Sequence, residues 1–220
     1  MKLRKSYRFL RGAVRLFTPK MTEEWEEPYD GRPAVFCPNH ARAWGPLNMC
    51  AHFSLADSVR PWYNAGIADR KGLPDYVRND NWWNPKSKLA PLFDKTVPYL
   101  AAALLPPVFH CTPGIPVYYD NRVIKTMRAS IDAVKEGDQL VIFAQFPTEY
   151  DTHAEQLTGG FLQIAPMCWR RCGLQLSFYP VHVDQKNRKI KVLKPILYDP
   201  ERSLEEQQLL QKVDAGVWDD

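Results

Sequence analysis

Along residues 3–17 the apolar side chains Leu3, Tyr7, Leu10, Ala13, Val14 and Phe17 recur at helical spacing, and basic residues fill much of the remaining circumference. The pattern predicts a short cationic amphipathic helix that Thr18-Pro19 ends. An acidic, turn-rich segment, residues 22–30, leads into the apolar run Ala34-Val35-Phe36-Cys37, which has strand length. After Pro38-Asn39-His40 and a loop, Gly45-Pro46 places glycine at a cap and proline at the first helical position, so a helix is predicted over residues 47–55. A second strand over 59–64 precedes a long polar excursion, residues 66–85, broken by Gly72, Pro74 and asparagine-rich turns. Residues 92–105 predict a helix interrupted near Pro98, and residues 115–118 a strand after the Pro113-Gly114 turn. Val123, Met127, Ile131 and Val134 keep one helical face and stop at Gly137. Beyond them come a buried strand (140–143), a helical region containing Pro166 (156–172), a strand (176–183), a hairpin turn (185–189), its return strand (190–197) and a final acidic helix (204–213). Strands that alternate with helices and finish in a hairpin imply an α/β protein with a mixed sheet flanked by helices.

Composition makes this a globular domain with a core of its own. Of 220 residues 45% are hydrophobic and 12% aromatic, which excludes disorder and collagen-like repetition. Charge is placed unevenly. The first twenty residues hold seven basic side chains and no acid, whereas the rest of the chain has 22 basic against 25 acidic side chains, a net −3. A basic head on a faintly acidic body suggests an anionic surface as partner, and on charge alone a membrane and a nucleic acid are equally open. Five cysteines, odd in number and irregularly spaced, read as reduced thiols of a cytosolic protein. Charges interrupt the N-terminal apolar residues too often for a secretory signal. The longest apolar stretch, residues 98–109, is too short for a membrane span and contains Pro106 and Pro107.

Dinucleotide, P-loop, serine-hydrolase, zincin and CxxC motifs are absent from the sequence. Cys168 and Cys172 supply at most two ligands, so packing is their expected role. His52, His110, His153 and His182 have no partner at ligand spacing and are expected to be structural or exposed. His40 differs, because it follows a strand and precedes a well-marked helix start. Such a loop holds an imidazole rigidly while leaving it accessible, as a general base for a substrate hydroxyl requires. Trp44, Trp82 and Trp83 are candidates for lining an acyl groove or dipping into a lipid interface, with core packing as the alternative.

From about residue 34 to 200 these elements resemble the glycerophospholipid acyltransferase family, which includes the lysophosphatidic acid acyltransferases. Asn39-His40 matches the start of that family's first motif, and Gly45 stands where the motif has Asp. Gly114-Ile115-Pro116-Val117 resembles the second motif, with Tyr119 in place of its Arg and Arg122 three residues on. Val141-Ile142-Phe143 resembles the approach to the third motif, Phe-Pro-Glu-Gly-Thr-Arg. There Gln145 takes the Glu position without a gap, while a shift of three matches Phe146-Pro147 and makes Glu149 the nearest acid. Gly160 and Tyr179-Pro180-Val181 resemble the later helix and the fourth motif.

The resemblance implies an acyltransferase-like domain over residues 21–220 behind a membrane-surface helix at residues 1–20, peripheral on the inner, cytoplasmic face of an anionic membrane. It implies His40 as the base that frees a lipid hydroxyl to attack an acyl thioester of coenzyme A or acyl carrier protein, with no bound cofactor or metal. On the substrate side it points to Asn39, Arg42, Tyr119, Arg122, Gln145 and Glu149. Arg42, Arg122, Lys125 and Arg128 are candidate substitutes for the arginines that hold the acceptor's phosphate, the last three reading rather more as the solvated face of the helix over residues 123–134. Asp57 and Glu149 are candidate acids to partner His40. The chief rival is an inactive descendant of the same fold that binds lipid or acyl chains. A third reading, a nucleic-acid module stacking bases on Trp82-Trp83, has no matching layout, and nucleic acid is not an expected partner.

Overall fold

The run Ala34-Val35-Phe36-Cys37 has no polar side, and a strand of that kind is stable only when both faces are covered. In the computed structural model, which describes residues 5–40, 44–79, 86–144 and 159–218, it forms strand β2 (Ala34–Pro38), buried at every position in the middle of a sheet. The other strands are β1 (Thr22–Trp25), β3 (Val59–Asn64), β4 (Ile115–Val117), β5 (Gln139–Val141), β6 (Ser177–Asp184), β7 (Lys189–Val192) and β8 (Ile196–Leu197). Their order is β1-β7-β6-β2-β5-β3-β4, with β8 also on β6. Strands β6, β2, β5, β3 and β4 run parallel, while β7 and β8 return antiparallel to β6, so the sheet is mixed as expected.

The helices are α1 (Lys5–Phe17), α2 (Trp44–His52), α3 (Ala65–Ala68), α4 (Leu73–Asn79), α5 (Ala90–Cys111), α6 (Val123–Lys135), α7 (Ile164–Cys172) and α8 (Leu209–Trp218). The handedness of parallel crossovers assigns them to faces. The chain travels from β2 to β3 in one direction along the sheet and from β4 through β5 to β6 in the other. Helix α2 therefore lies on the face opposite α6 and α7. The alternation of strand side chains agrees: Ala34 and Phe36 pack with Met49 of α2 and with Phe53 just after it, while Val35 and Cys37 pack with Ile131 of α6 and Ile164 of α7. Helix α8 joins the second face through Leu209, Val213 and Val217. It approaches β6 so closely that a Cβ on Gly216 would lie 2.7 Å from the Cβ of Pro180.

Several elements depart from the sequence expectation, each for a tertiary reason. The acidic segment after residue 22 is strand β1, because it finds a parallel partner in β7, where Lys189 Nζ also sits 2.8 Å from Glu24. The polar excursion contains α3 and α4, and residues 80–85, with Trp82 and Trp83, lie outside the described residues. Helix α5 runs unbroken for 22 residues through Pro98, Pro106 and Pro107. Its Ala101 and Ala102 pack on Leu73 and Val77 of α4, and that packing outweighs the hydrogen bonds the prolines remove. The return strand is split: register with β6 slips by one residue between β7 and β8, a bulge around Lys194-Pro195 where proline has no amide to donate. The last helix starts later than expected. Gln207 folds its buried side chain onto the Asp199 and Arg202 carbonyls, and Gln208 adopts φ 50°, so the segment before Leu209 is a turn.

Helix α1 packs on α2. Tyr7 is buried, Arg11 pairs with Asp57 and the Arg15 guanidinium donates to the Ala51 carbonyl, whereas Phe9, Leu16 and Phe17 are exposed. Two cations of the basic head thus face the protein. The Thr18 hydroxyl donates to the Val14 carbonyl at 2.7 Å and lies 2.8 Å from His52 Nε2, so its single proton leaves the ring nitrogen to donate. Desolvation, then Arg15 and Arg11, hold the His52 imidazole below its ordinary value of 6.5. The folded state therefore binds this proton less readily than the unfolded chain, and the stability His52 gives is complete above its unfolded pKa and lost as pH falls below it. Amide exchange in α1, corrected for intrinsic rates, is expected to speed up as pH drops from neutral through this window. Exchange that is flat with pH counts against the linkage. No helix among the described residues is long and apolar enough to cross a membrane.

Candidate active site at the end of strand β2

Parallel strands present their carboxyl ends along one edge, and a crevice opens where successive connections leave to opposite faces. Strands β2 and β5 are neighbours; the chain leaves β2 for α2 on one face and β5 for α7 on the other. The switch point lies between them. Asn39-His40 leaves the end of β2 there, beside Phe143 and Ala144 at the end of β5.

Asn39 is buried and acts as a clamp. Its Oδ1 accepts the Val183 N–H at 2.7 Å, its Nδ2 donates to the Val183 carbonyl at 3.3 Å, and its own N–H donates to Val181 at 3.2 Å. The side chain thus extends the β2–β6 ladder past Pro38 and fixes the residue that follows. Geometrically it is a positioning group whose amide is already taken. Asn39→Ala would leave a buried N–H and C=O unpaired, at about 1–3 kcal/mol for each partner lost. A fall in melting temperature of roughly 5–10 °C is expected for a chain this long, and an unchanged melt excludes the clamp.

His40 is half-buried, with its ring edge-on to Phe143 at 5.4 Å between centroids. Its carbonyl accepts the Gly45 N–H at 3.0 Å, closing the loop between strand and helix. Gly45 can approach only because it lacks a side chain: a Cβ there would sit 2.3 Å from the His40 carbonyl oxygen and 2.6 Å from that of Asn39. The position that resembles a motif aspartate is therefore occupied by backbone. Asp57, a candidate substitute acid, is engaged by Arg11 of α1.

The other substrate-side candidates fall apart in space or outside view. Tyr119 and Arg122 follow β4, three strand spacings from β2, or about 14 Å along the edge. Tyr119 is exposed. Arg122 turns onto Asp120, with its terminal nitrogen 2.7 Å from Oδ2, and stacks over Tyr118 at 4.5 Å. The hydrogen bonds from Arg122 hold the Asp120 carboxyl down at about 2, so the guanidinium carries a neutralising partner throughout the physiological range. Lys125 and Arg128 are on exposed positions of α6. Arg42, Gln145 and Glu149 lie outside the described residues. Trp44 opens α2.

Asn48 is a polar residue that motif reading missed. It is fully buried on the helix after His40, its Nδ2 donates to Gln185 at 2.6 Å just beyond β6, and its Oδ1 has no partner among the described residues. A polar residue on the inner side of a predicted helix was the available signal. An open groove of about 510 Å³, lined by Ala68, Asp69, Arg70, Pro106, Pro107 and His110, lies between α3 and α5, and His40 is not among its lining residues. His182 bonds the Val217 carbonyl at 3.0 Å, and the Cys168 and Cys172 sulfurs lie 3.4 Å apart within α7, in line with structural roles. Among the described residues no group of His, Cys, Asp and Glu side chains has the arrangement of a metal site. No protein-family model, no curated protein and no solved structure matches this chain.

Proposed function

We propose that this protein is an acyltransferase that moves a fatty acyl group from acyl-coenzyme A or acyl carrier protein to the hydroxyl of a lysophospholipid-like acceptor at a membrane surface, with residues 1–20 toward the anionic membrane. The observation that carries the reading is His40 at the switch point of the parallel strands, half-buried and with its backbone fixed by Asn39 and Gly45. The resemblance of the motif residues supplies the reaction class. In that reaction the imidazole takes the hydroxyl proton as the oxygen bonds to the thioester carbonyl carbon. The carbon–sulfur bond then breaks, and the proton leaves with the thiol. Arg122, already paired with Asp120, is not needed to hold a phosphate in this scheme. The test is incubation of the purified protein with labelled acyl donors and a panel of lysolipids and long-chain alcohols. A product that His40→Ala removes is expected, and no product from any donor and acceptor pair overturns the proposal.

One observation favours a second reading, a lipid- or acyl-binding protein without transfer. Backbone fills the space at Gly45 where the resembling family has its aspartate. Saturable binding of an acyl chain or lysolipid with no turnover selects it.

A further inference from the structure

Helix α5 has two different long faces. Pro98, Ala101, Ala102 and Pro106 are buried, on the side that packs with Leu73 and Val77 of α4. The opposite row, Leu92, Thr96, Tyr99, Leu100, Ala103 and Leu104, faces outward at helical spacing. Leu92, Tyr99, Leu100 and Leu104 are each 56–60% exposed. A row of large apolar side chains from Leu92 to Leu104, along about 18 Å of helix, is more than scattered surface hydrophobicity and marks a surface that something covers. Helix α1 touches α5 and exposes Phe9 at 81%, Leu16 at 84% and Phe17 at 88%.

Charge identifies the cover. With Arg11 and Arg15 turned to the protein, the outward cations of helices α1 and α5 are Lys5, Arg8 and Lys95, against one acid, Asp94, which faces Arg78 at 3.5 Å. Lys5 and Arg8 flank Phe9, and Lys88 and Lys95 flank Leu92, all four exposed. Apolar rows bordered by cations suit the headgroup boundary of an anionic bilayer, where side chains enter the acyl region and ammonium and guanidinium groups meet lipid phosphates. The protein core of a dimer interface is depleted in charge, so a second copy fits this border less well.

We propose that the outward face of α5, beside the exposed end of α1, is a membrane-embedding surface, with the helix lying in the plane of an anionic lipid leaflet. This surface does not rest on acyl transfer. It assigns the membrane contact to a helix in the middle of the chain in addition to the basic head.

The test is sedimentation of the full-length protein with vesicles of phosphatidylcholine alone and of phosphatidylcholine mixed with phosphatidylglycerol, with no acyl donor or acceptor present. Leu100→Gln/Leu104→Gln leaves charge unchanged and removes two outward apolar groups. The wild type is expected to bind the anionic vesicles, and the variant to bind them at least about tenfold more weakly at an unchanged melting temperature. Light scattering after size exclusion is expected to show both as monomers. Absence of wild-type binding, or equal binding by the variant, overturns the proposal. So does a wild-type dimer that the variant dissolves, which makes the face a contact between copies. Loss of transfer in the acyl-donor assay with vesicle binding intact separates failure of the enzyme reading from failure of this surface.

Discussion

Gly45→Asp is expected to lower the melting temperature by about 6–12 °C and to confer no transfer activity beyond that of the wild type. The magnitude follows from distance. A side chain at this position places its Cβ 2.3 Å from the His40 carbonyl oxygen and 2.6 Å from the Asn39 carbonyl oxygen. Both are backbone atoms, and Asn39 is tied to Val183 from both ends of its amide, so the strand end cannot give way without breaking buried hydrogen bonds. Overpacking of this kind usually costs about 1–3 kcal/mol, and a clash with fixed backbone belongs at the upper end. Gly45→Ala should show most of the same loss, because the first carbon causes it. Thermal denaturation of both variants checks this. A Gly45→Asp protein that melts like the wild type and transfers acyl groups faster would mean that the loop opens to take a carboxylate, contrary to the structure.

His40→Ala is expected to cut transfer by about 10²–10⁴-fold, the usual worth of a positioned general base, while leaving the KM for the acyl donor near its wild-type value. Stability distinguishes this outcome from misfolding. The ring is half-buried, and its edge-on contact with Phe143 is worth about 0.5–1.5 kcal/mol, so the melt should fall by only about 1–6 °C. Residual activity equal to wild type removes His40 from the chemistry. The contrast with Asn39→Ala is informative, since that change lowers stability first and reaches the rate only through the position of His40.

The alternating order of strands and helices was legible because it depends on local spacing. Ala34-Val35-Phe36-Cys37 has nothing polar to turn outward, and the Val123, Met127, Ile131 and Val134 row fits one helical face. Helix α5 was read too short because three prolines argue locally for a break, whereas the alanines that dock it on α4 act across a loop. The final helix was placed too early because Leu204 looks periodic in sequence, while Gln207 is captured by carbonyls of the preceding turn. In each case a contact with a distant or folded-back segment outweighed a local preference.

At the candidate site the same division holds. His40 was visible from one dimension, since a histidine between a strand and a marked helix start is a property of neighbouring residues. The role of its surroundings was not. The Asn39 amide is held by Val183, which lies 144 positions away in sequence, and Gly45 owes its missing side chain to two carbonyls that only the folded loop brings near. Likewise, seven cations in the first twenty residues could be counted from the sequence, but which of them turn inward depends on where α2 lies. Spacing along the chain reports which side chains are apolar or charged. Distances between remote segments decide which of them are covered, which are paired and which remain outward to meet a partner, and those distances exist only once the sheet has formed.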